Sequence, residues 1–251
     1  MPRIACLHTA DSNIQVFDMA LQELGMEGVK LHHSVRADLL ADAEKAGGLR
    51  AQPGITALIE YFNHLKTLDT FLSTRALVSG WALTPGIAER TAAVLRGLCD
   101  GADAVLLTCS TLGPAAEAAA VAASVPVVRV DDTFAREAVR GGGKVAVLCA
   151  VQTTMEPTRL LFEKEARATG AEVVMHFVPG AWDVFKAGDG CRYLSMIAAA
   201  ADEAFQDGAA QVVLAQASMA GAAKLATGGR APLTSPTVGL AAAIEAAAAQ
   251  P

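Results

Sequence analysis

Two halves of this chain repeat the same order of sequence segments. GADAVLLTCST from Gly101 matches GAAQVVLAQAS from Gly208, and RIACLHT from Arg3 matches KVAVLCA from Lys144. The apolar runs in these segments alternate with helical patterns, which is typical of parallel sheets covered by helices on both faces. The sequence therefore predicts an α/β protein of two pseudo-symmetric doubly wound lobes, with a ligand cleft between their strand ends.

The first predicted lobe comprises residues 1–132 plus 237–251, and the second comprises residues 133–236. We expect strands at 3–8, 29–35, 104–108, 125–130, 144–150, 171–178 and 211–215, with helices between them. Residues 36–56 contain Gly47–Gly48 and Pro53–Gly54, and we expect them to be irregular. Helical patterns follow at about 55–72 and 86–99.

The composition excludes several classes of partner. Hydrophobic residues make up 53% of the 251 residues and the net charge is −6, without a basic cluster. These values indicate a globular protein and argue against nucleic acid or a membrane surface as partner. The five cysteines are odd in number and scattered, and no CxxC spacing occurs. We therefore expect reduced thiols in a cytoplasmic protein.

Cys109 is the candidate for catalysis. It follows an apolar strand and precedes Gly113–Pro114, where an alanine-rich helix is expected to begin. The free N–H groups at such a strand-to-helix turn favour negative charge and can lower the pKa of a cysteine, making it a base or a nucleophile. The alternative is a small apolar residue buried in the core.

Polar residues at the other turns are candidates for holding a carboxylate. Backbone N–H groups at these positions suit an anion, although hydroxyl or carboxyl side chains there also serve as ordinary helix caps. The repeat aligns Cys109 with Gln216, so one lobe presents a thiol where the other presents an amide. An amide is not a general acid or base near neutral pH. The candidates for holding the carboxylate are Ser12, Ser110, Thr111, Thr153 and Thr154. Asp11 and Asn13 are also expected to contact the substrate, and Gln216 is expected to form a polar wall.

No metal or nucleotide cofactor is expected. His32 and His33 are adjacent on a strand and point to opposite faces, and no third ligand stands at a known spacing. Cys6 and Cys149 lie within predicted strands and are interpreted as core residues. No GxGxxG follows the first strand.

Several segments in order resemble one known family. They are Asp11–Ser12, TCST at 108–111, VPVV followed by Asp131–Asp132, TTMEPT at 153–158, the GAAQVVLAQAS strand and the terminal PTVGLAAAIEA. Together they resemble the aspartate/glutamate racemase superfamily, which includes hydantoin racemases, maleate isomerases and arylmalonate decarboxylases. The resemblance implies a cofactor-independent enzyme with two pseudo-symmetric lobes. It also implies that the Asp matching Asp11 lies close to the first thiol and that the Ser matching Ser12 contacts substrate.

In the racemases of this superfamily, a cysteine from each lobe faces one side of a carbon acid next to a carboxylate. One thiolate removes the proton and the other thiol returns one from the far face. Here Gln216 stands at the second position, followed by Ala217–Ser218 where a Thr–His pair is common. The single-cysteine decarboxylases of the superfamily keep the cysteine of the second lobe, whereas this chain keeps that of the first.

The resemblance predicts an isomerase- or racemase-type enzyme acting on a small carboxylate-bearing carbon acid, such as an amino acid, through Cys109 and an enediolate-like intermediate. Two alternatives stay open. One is a single-cysteine lyase, decarboxylase or cis–trans isomerase of the same superfamily, and the other is a non-catalytic small-molecule binding protein. A homo-oligomer, by family analogy a dimer, is expected. Ser218 joins the residues expected to bind the substrate.

Overall fold

The computed structural model describes residues 1–50, 83–228 and 230–250, with the side chains of residues 47–50 and 153 outside that description. The strands are β1 (Arg3–His8), β2 (Lys30–Val35), β3 (Ala104–Leu107), β4 (Val127–Arg129), β5 (Lys144–Cys149), β6 (Glu172–Phe177), β7 (Gln211–Leu214) and β8 (Leu233–Thr234). The helices are α1 (Ser12–Leu24), α2 (Ala37–Arg50), α3 (Pro85–Gly97), α4 (Pro114–Ala120), α5 (Val130–Val139), α6 (Gln152–Ala166), α7 (Ala181–Lys186), α8 (Gly190–Gln206) and α9 (Ser235–Ala248). Short 3-10 helices follow β3 at Ser110–Leu112 and β7 at Ala217–Lys224.

The strands form two four-stranded parallel sheets. The first has the order β2-β1-β3-β4 and the second has the order β6-β5-β7-β8, so the same topology occurs twice. Each sheet is covered by helices, which confirms the α/β fold expected from the alternating segments. Because parallel strands bury both faces, their sequences are continuous apolar runs rather than alternating ones.

Alternate residues of each central strand face different helices. In β1, Ala5 and Leu7 pack in one core cluster with α2, α3 and α4, while Ile4 and Cys6 pack in another with α1 and α9. In the second sheet, odd and even residues of β5 divide in the same way between α5 and α6 on one side and α7 and α8 on the other. All the β5 side chains beyond Lys144 are buried.

Two helices join the lobes. Helix α5 begins with Val130 in the core of the first sheet, and its Phe134 is fully buried against the second sheet. Helix α9 is the last helix of the chain, yet Leu240 and Ile244 pack against the first sheet. The chain thus returns to its first sheet at the end. The division at residues 132 and 237 stays a prediction.

The expectation that residues 36–56 are irregular is wrong for their first part, because α2 spans Ala37–Arg50. Leu39 and Ala43 lie one helical turn apart and are buried against the first sheet, and Arg90 from α3 binds Asp42 at 2.7 Å. This packing outweighs the helix-breaking cost of the late glycine pair, which is about 1 kcal/mol per glycine. The helix expected at about 55–72 lies outside the described residues. Within the described part of the chain, no helix is long and apolar enough to cross a membrane.

Candidate functional site

A cleft lies at the carboxyl ends of the central strands of both sheets. Residues that directly follow β1, β3, β5 and β7 all contribute to it, as expected for parallel α/β folds. The first lobe contributes polar side chains and one thiol, and the second lobe contributes an amide, hydroxyls and two aromatic rings. From the first lobe these side chains are Thr9, Asn13, Thr108, Cys109, Ser110 and Thr111, and from the second they are Thr154, Trp182, Phe185, Gln216 and Ser218.

Cys109 lies at the end of β3 in extended conformation, with the 3-10 helix immediately after it. Its side chain is 9% exposed, and that small exposure is on the cleft. Burial raises the pKa of the Cys109 thiol. Hydrogen bonds from the Thr9 hydroxyl and from the backbone N–H groups of Leu112 and Thr111 oppose this rise, while the negative charge of Asp131 adds to it. The turn therefore supplies the N–H groups that the sequence predicts, but the expected lowering of the pKa is reversed by desolvation.

A buried ion pair supports the turn that follows Cys109. Arg129 binds both carboxylate oxygens of Asp131, at 3.0 Å from Nε and 2.9 Å from Nη2, and both side chains are at least nine-tenths buried. The guanidinium lies against Gly113, where a Cβ would stand 2.8 Å from Arg129 Cζ. A side chain at position 113 would therefore require Arg129 to move.

Gln216 occupies the position that corresponds to Cys109 in the second lobe. Its Oε1 accepts hydrogen bonds from the backbone N–H groups of Ala150, at 2.6 Å, and Val151, at 3.2 Å, just before α6 begins. Since these donors require the carbonyl oxygen, they fix the orientation of the amide. The NH₂ group takes part in neither of these hydrogen bonds, and an amide does not ionise near neutral pH.

The aromatic wall of the cleft comes from α7. Trp182 and Phe185 stack with ring centroids 4.9 Å apart, and Phe185 also packs against Tyr193, whose hydroxyl lies 2.9 Å from Ser218 Oγ. These rings are not among the site residues predicted from the sequence. A usable signal was present, because α7 follows β6 and the segments after parallel strands converge at one edge.

The predicted substrate-binding residues are only partly brought together. Ser110, Thr111, Thr154, Gln216 and Ser218 line the cleft with Cys109. Asn13 also lines it, is 7% exposed, and has an Oδ1 atom without a hydrogen-bond partner among the described residues.

The remaining candidates lie elsewhere or cannot be placed. Asp11 and Ser12 begin α1 as exposed residues, and neither belongs to the described lining of the cleft. Asp11 occupies the N-cap position of α1 without a capping hydrogen bond from its side chain. The side chain of Thr153 is outside the description.

The described lining contains no charged side chain. A carboxylate bound here would be held by hydroxyl, amide and backbone N–H dipoles rather than by a cation. Among these lining groups, the Cys109 thiol is the one side chain that ordinarily ionises in water. The described lining therefore combines uncharged hydrogen-bonding groups with one thiol.

Comparison with known proteins places this arrangement in a family. Several solved structures share the fold. The aspartate racemase of Picrophilus torridus is 12% identical with a TM-score of 0.62, covering 99% of this chain and 95% of that chain. The allantoin racemase of Klebsiella pneumoniae is 13% identical with a TM-score of 0.59, covering 99% of this chain and 88% of that one. A liganded double mutant of arylmalonate decarboxylase is 13% identical with a TM-score of 0.58, and the match covers 100% of this chain and 94% of that chain.

These identities show a common fold and no more. No curated protein matches the chain significantly. A family model described as Asp/Glu/Hydantoin racemase matches residues 78–244, which is more than half of the chain. On that match, together with the two parallel sheets and the cleft between them, the chain belongs to the Asp/Glu/Hydantoin racemase family.

Proposed function

We propose that the protein is a cofactor-independent isomerase- or racemase-type enzyme acting on a small carboxylate-bearing carbon acid, an amino acid or a related compound. Cys109 is the catalytic thiol and the intermediate is enediolate-like. One observation carries the proposal: the Cys109 thiol is the one ionisable side chain of an otherwise uncharged described lining. The family and its solved relatives, which include aspartate and allantoin racemases, support this reaction class.

The substrate carboxylate is bound at the turn after β3. Ser110 and Thr111 are buried there beside the thiol and line the cleft, and Asn13 supplies an amide from α1. Fixed dipoles of this kind stabilise the second negative charge that develops as the α-proton leaves, without the cost of reorganising water. Electrostatic stabilisation must provide most of the barrier reduction, because a lone thiolate is a weak base toward a carbon acid.

Proton transfer takes place on one face of the substrate. Cys109 in the first lobe removes or delivers the proton, and the Gln216 amide on the opposite wall donates a hydrogen bond only. This asymmetry favours a second candidate function within the same family, a single-cysteine lyase, decarboxylase or cis–trans isomerase. The similarity to the fold of arylmalonate decarboxylase is compatible with that candidate.

Solvent-deuterium exchange tests the proposal. Amino acids, small dicarboxylates, hydantoins and arylmalonates are incubated with the protein in D₂O, and α-deuteration and product chirality are measured. We expect incorporation with at least one of them, reduced by about 10²–10⁴-fold in Cys109→Ala, the range of general acid–base catalysis. Cys191→Ser is the matched control because Cys191 is exposed and lies outside the described cleft lining.

The stereochemistry of the product separates the two candidate functions. A racemic product requires a second proton donor, whereas a single enantiomer or a geometric isomer indicates one-faced chemistry. Equal exchange rates in wild type and Cys109→Ala would remove the thiol from the mechanism. Tight ligand binding without any exchange would instead identify a binding protein.

A further inference from the structure

Three potential metal ligands meet on one face of the first sheet. Cys6 and His8 are two residues apart on β1 and therefore point to the same side, and His33 on β2 is the parallel partner of Cys6. The thiol sulfur and the imidazole nitrogens lie within 4.8 Å of one another. The expectation that His33 has no further ligand in range rested on linear spacing, which does not show the register of two neighbouring strands.

Outer hydrogen bonds hold both imidazole rings. His8 Nδ1 lies 2.8 Å from Thr108 Oγ1, and that hydroxyl donates to the Leu7 carbonyl oxygen at 3.0 Å. Because the hydroxyl has one proton and uses it on the carbonyl, His8 Nδ1 is the donor to Thr108. His33 Nε2 lies 3.2 Å from Asp18 Oδ1, and a carboxylate only accepts, so Nε2 carries a proton as well.

These assignments leave two lone pairs facing each other. The remaining nitrogens, His8 Nε2 and His33 Nδ1, are 2.8 Å apart. Two unprotonated nitrogens repel at this distance, so the arrangement requires a cation between them, either a proton or a metal ion. The sulfur of Cys6 beside the pair favours a metal ion, since thiolate and imidazole together are ligands typical of zinc.

We propose that Cys6, His8 and His33 bind one Zn²⁺ ion through Sγ, Nε2 and Nδ1. Imidazoles that bind a metal usually donate their second ring nitrogen to a carboxylate or another acceptor, and Asp18 and Thr108 play that part here. With zinc–nitrogen bonds of about 2.0–2.1 Å and tetrahedral angles, the two nitrogens move apart by about 0.5 Å. Both rings, whose centroids are now 5.1 Å apart, also turn so that their lone pairs converge on the ion. The thiol proton of Cys6 is released to solvent, and a zinc–sulfur bond replaces the S–H bond.

The three ligands lie in and beside the packed interior rather than on the open cleft. Cys6 and His8 are fully buried, and the Phe17 ring packs on His8 with centroids 5.3 Å apart. The ion would lie behind the cleft, where it fixes His8 and hence Thr108, the neighbour of Cys109.

Zinc titration of the chelator-treated full chain tests the proposal. Zn²⁺ is added in competition with a chromophoric chelator, and Co²⁺ is used as a spectroscopic substitute that reports thiolate ligation by a charge-transfer band. We expect one equivalent of zinc and a cobalt–thiolate band in wild type. His32→Asn and Cys149→Ala are the matched controls and should bind zinc like wild type. His32 is an exposed histidine next to His33, and Cys149 is a buried strand cysteine in the other sheet.

The variants separate ligands from positioning residues. Asp18→Asn should weaken zinc binding by about 10–100-fold, as for other outer hydrogen-bond partners, and His33→Asn should weaken it more. If Cys6→Ala folds, it should lack the cobalt–thiolate band. If this variant does not fold, the band in wild type still supports the site. Absence of stoichiometric binding, or zinc affinity unchanged in His33→Asn, would overturn the proposal and leave a shared proton between the two histidines.

Discussion

Replacing Thr9 by valine should shift the ionisation of Cys109 upward. The Thr9 hydroxyl donates to the sulfur and is one of the groups that oppose the effect of burial on its pKa. Valine keeps the shape of threonine and removes the donor. Since Thr9 is 8% exposed, water cannot readily take the place of the hydroxyl. In the variant the thiolate form of Cys109 therefore loses a stabilising hydrogen bond, whereas the neutral thiol form is stabilised much less by that bond.

The size of the shift follows from the energy of a hydrogen bond to a charged group. Such a bond contributes about 1.5–3 kcal/mol, and one pKa unit corresponds to about 1.36 kcal/mol. The pKa of Cys109 should therefore rise by about 1–2 units in Thr9→Val. At neutral pH the thiolate fraction falls by about 10–100-fold. Because a thiolate of higher pKa is also more nucleophilic, the alkylation rate should fall by only about 3–12-fold.

Alkylation by iodoacetamide measures both the pKa of Cys109 and its alkylation rate. The labelled peptides are quantified by mass spectrometry between neutral and alkaline pH. Thr9→Ser keeps the donor and should behave like wild type. The exposed Cys191 in the same samples is the internal reference. An unchanged pH profile in Thr9→Val, or an equal shift in Thr9→Ser, would show that the Thr9 hydroxyl does not stabilise the thiolate and would refute the reasoning.

Two further predictions concern stability. Gly239→Ala should cost about 1–3 kcal/mol in chemical denaturation, because its Cβ would stand 2.9 Å from Val130 Cα, a backbone atom that cannot rotate away. The matched control is Gly86→Ala, whose Cβ has no atom within 4 Å, and its free energy of unfolding should increase by up to about 1 kcal/mol. Equal effects at the two sites would contradict a close approach of α5 and α9. Burial raises the pKa of Cys149 from 9.0 to about 12, so the folded state keeps a proton that the unfolded state loses. The contribution of Cys149 to the free energy of unfolding should then fall by about 1.4 kcal/mol per pH unit between pH 9 and 12, and this fall should be absent from Cys149→Ala.

Where the sequence analysis succeeded, the signal was local. The strands of both sheets are short apolar runs, because a parallel strand buries both faces, and these runs lie close to where the sequence predicts them. Cys109 was found in the same way, since a polar turn between a buried strand and a helix is visible in the letters themselves. The helix α2 was missed because two glycines near its end weaken the local signal, while its stability comes from Leu39 and Ala43 packing on a distant sheet.

The site required more than local signals. The repeat aligns Gln216 with Cys109, but only the folded chain shows the Gln216 carbonyl oxygen bound to the N–H groups before α6. Likewise, the turn after Cys109 predicts a lowered thiol pKa, whereas the completed packing around the sulfur raises it. Both outcomes depend on contacts between residues far apart in the chain.

By itself, the sequence determined the kind of layers, the repeat of one topology and the thiol that lines the cleft, because periodicity and turn chemistry act between near neighbours. Tertiary structure decided which polar groups face that thiol, how strongly solvent is excluded from it, and that Cys6 and His8 meet His33 across two strands. Strand register and desolvation are properties of the assembled core. They arise only when segments separated by tens of residues are packed together.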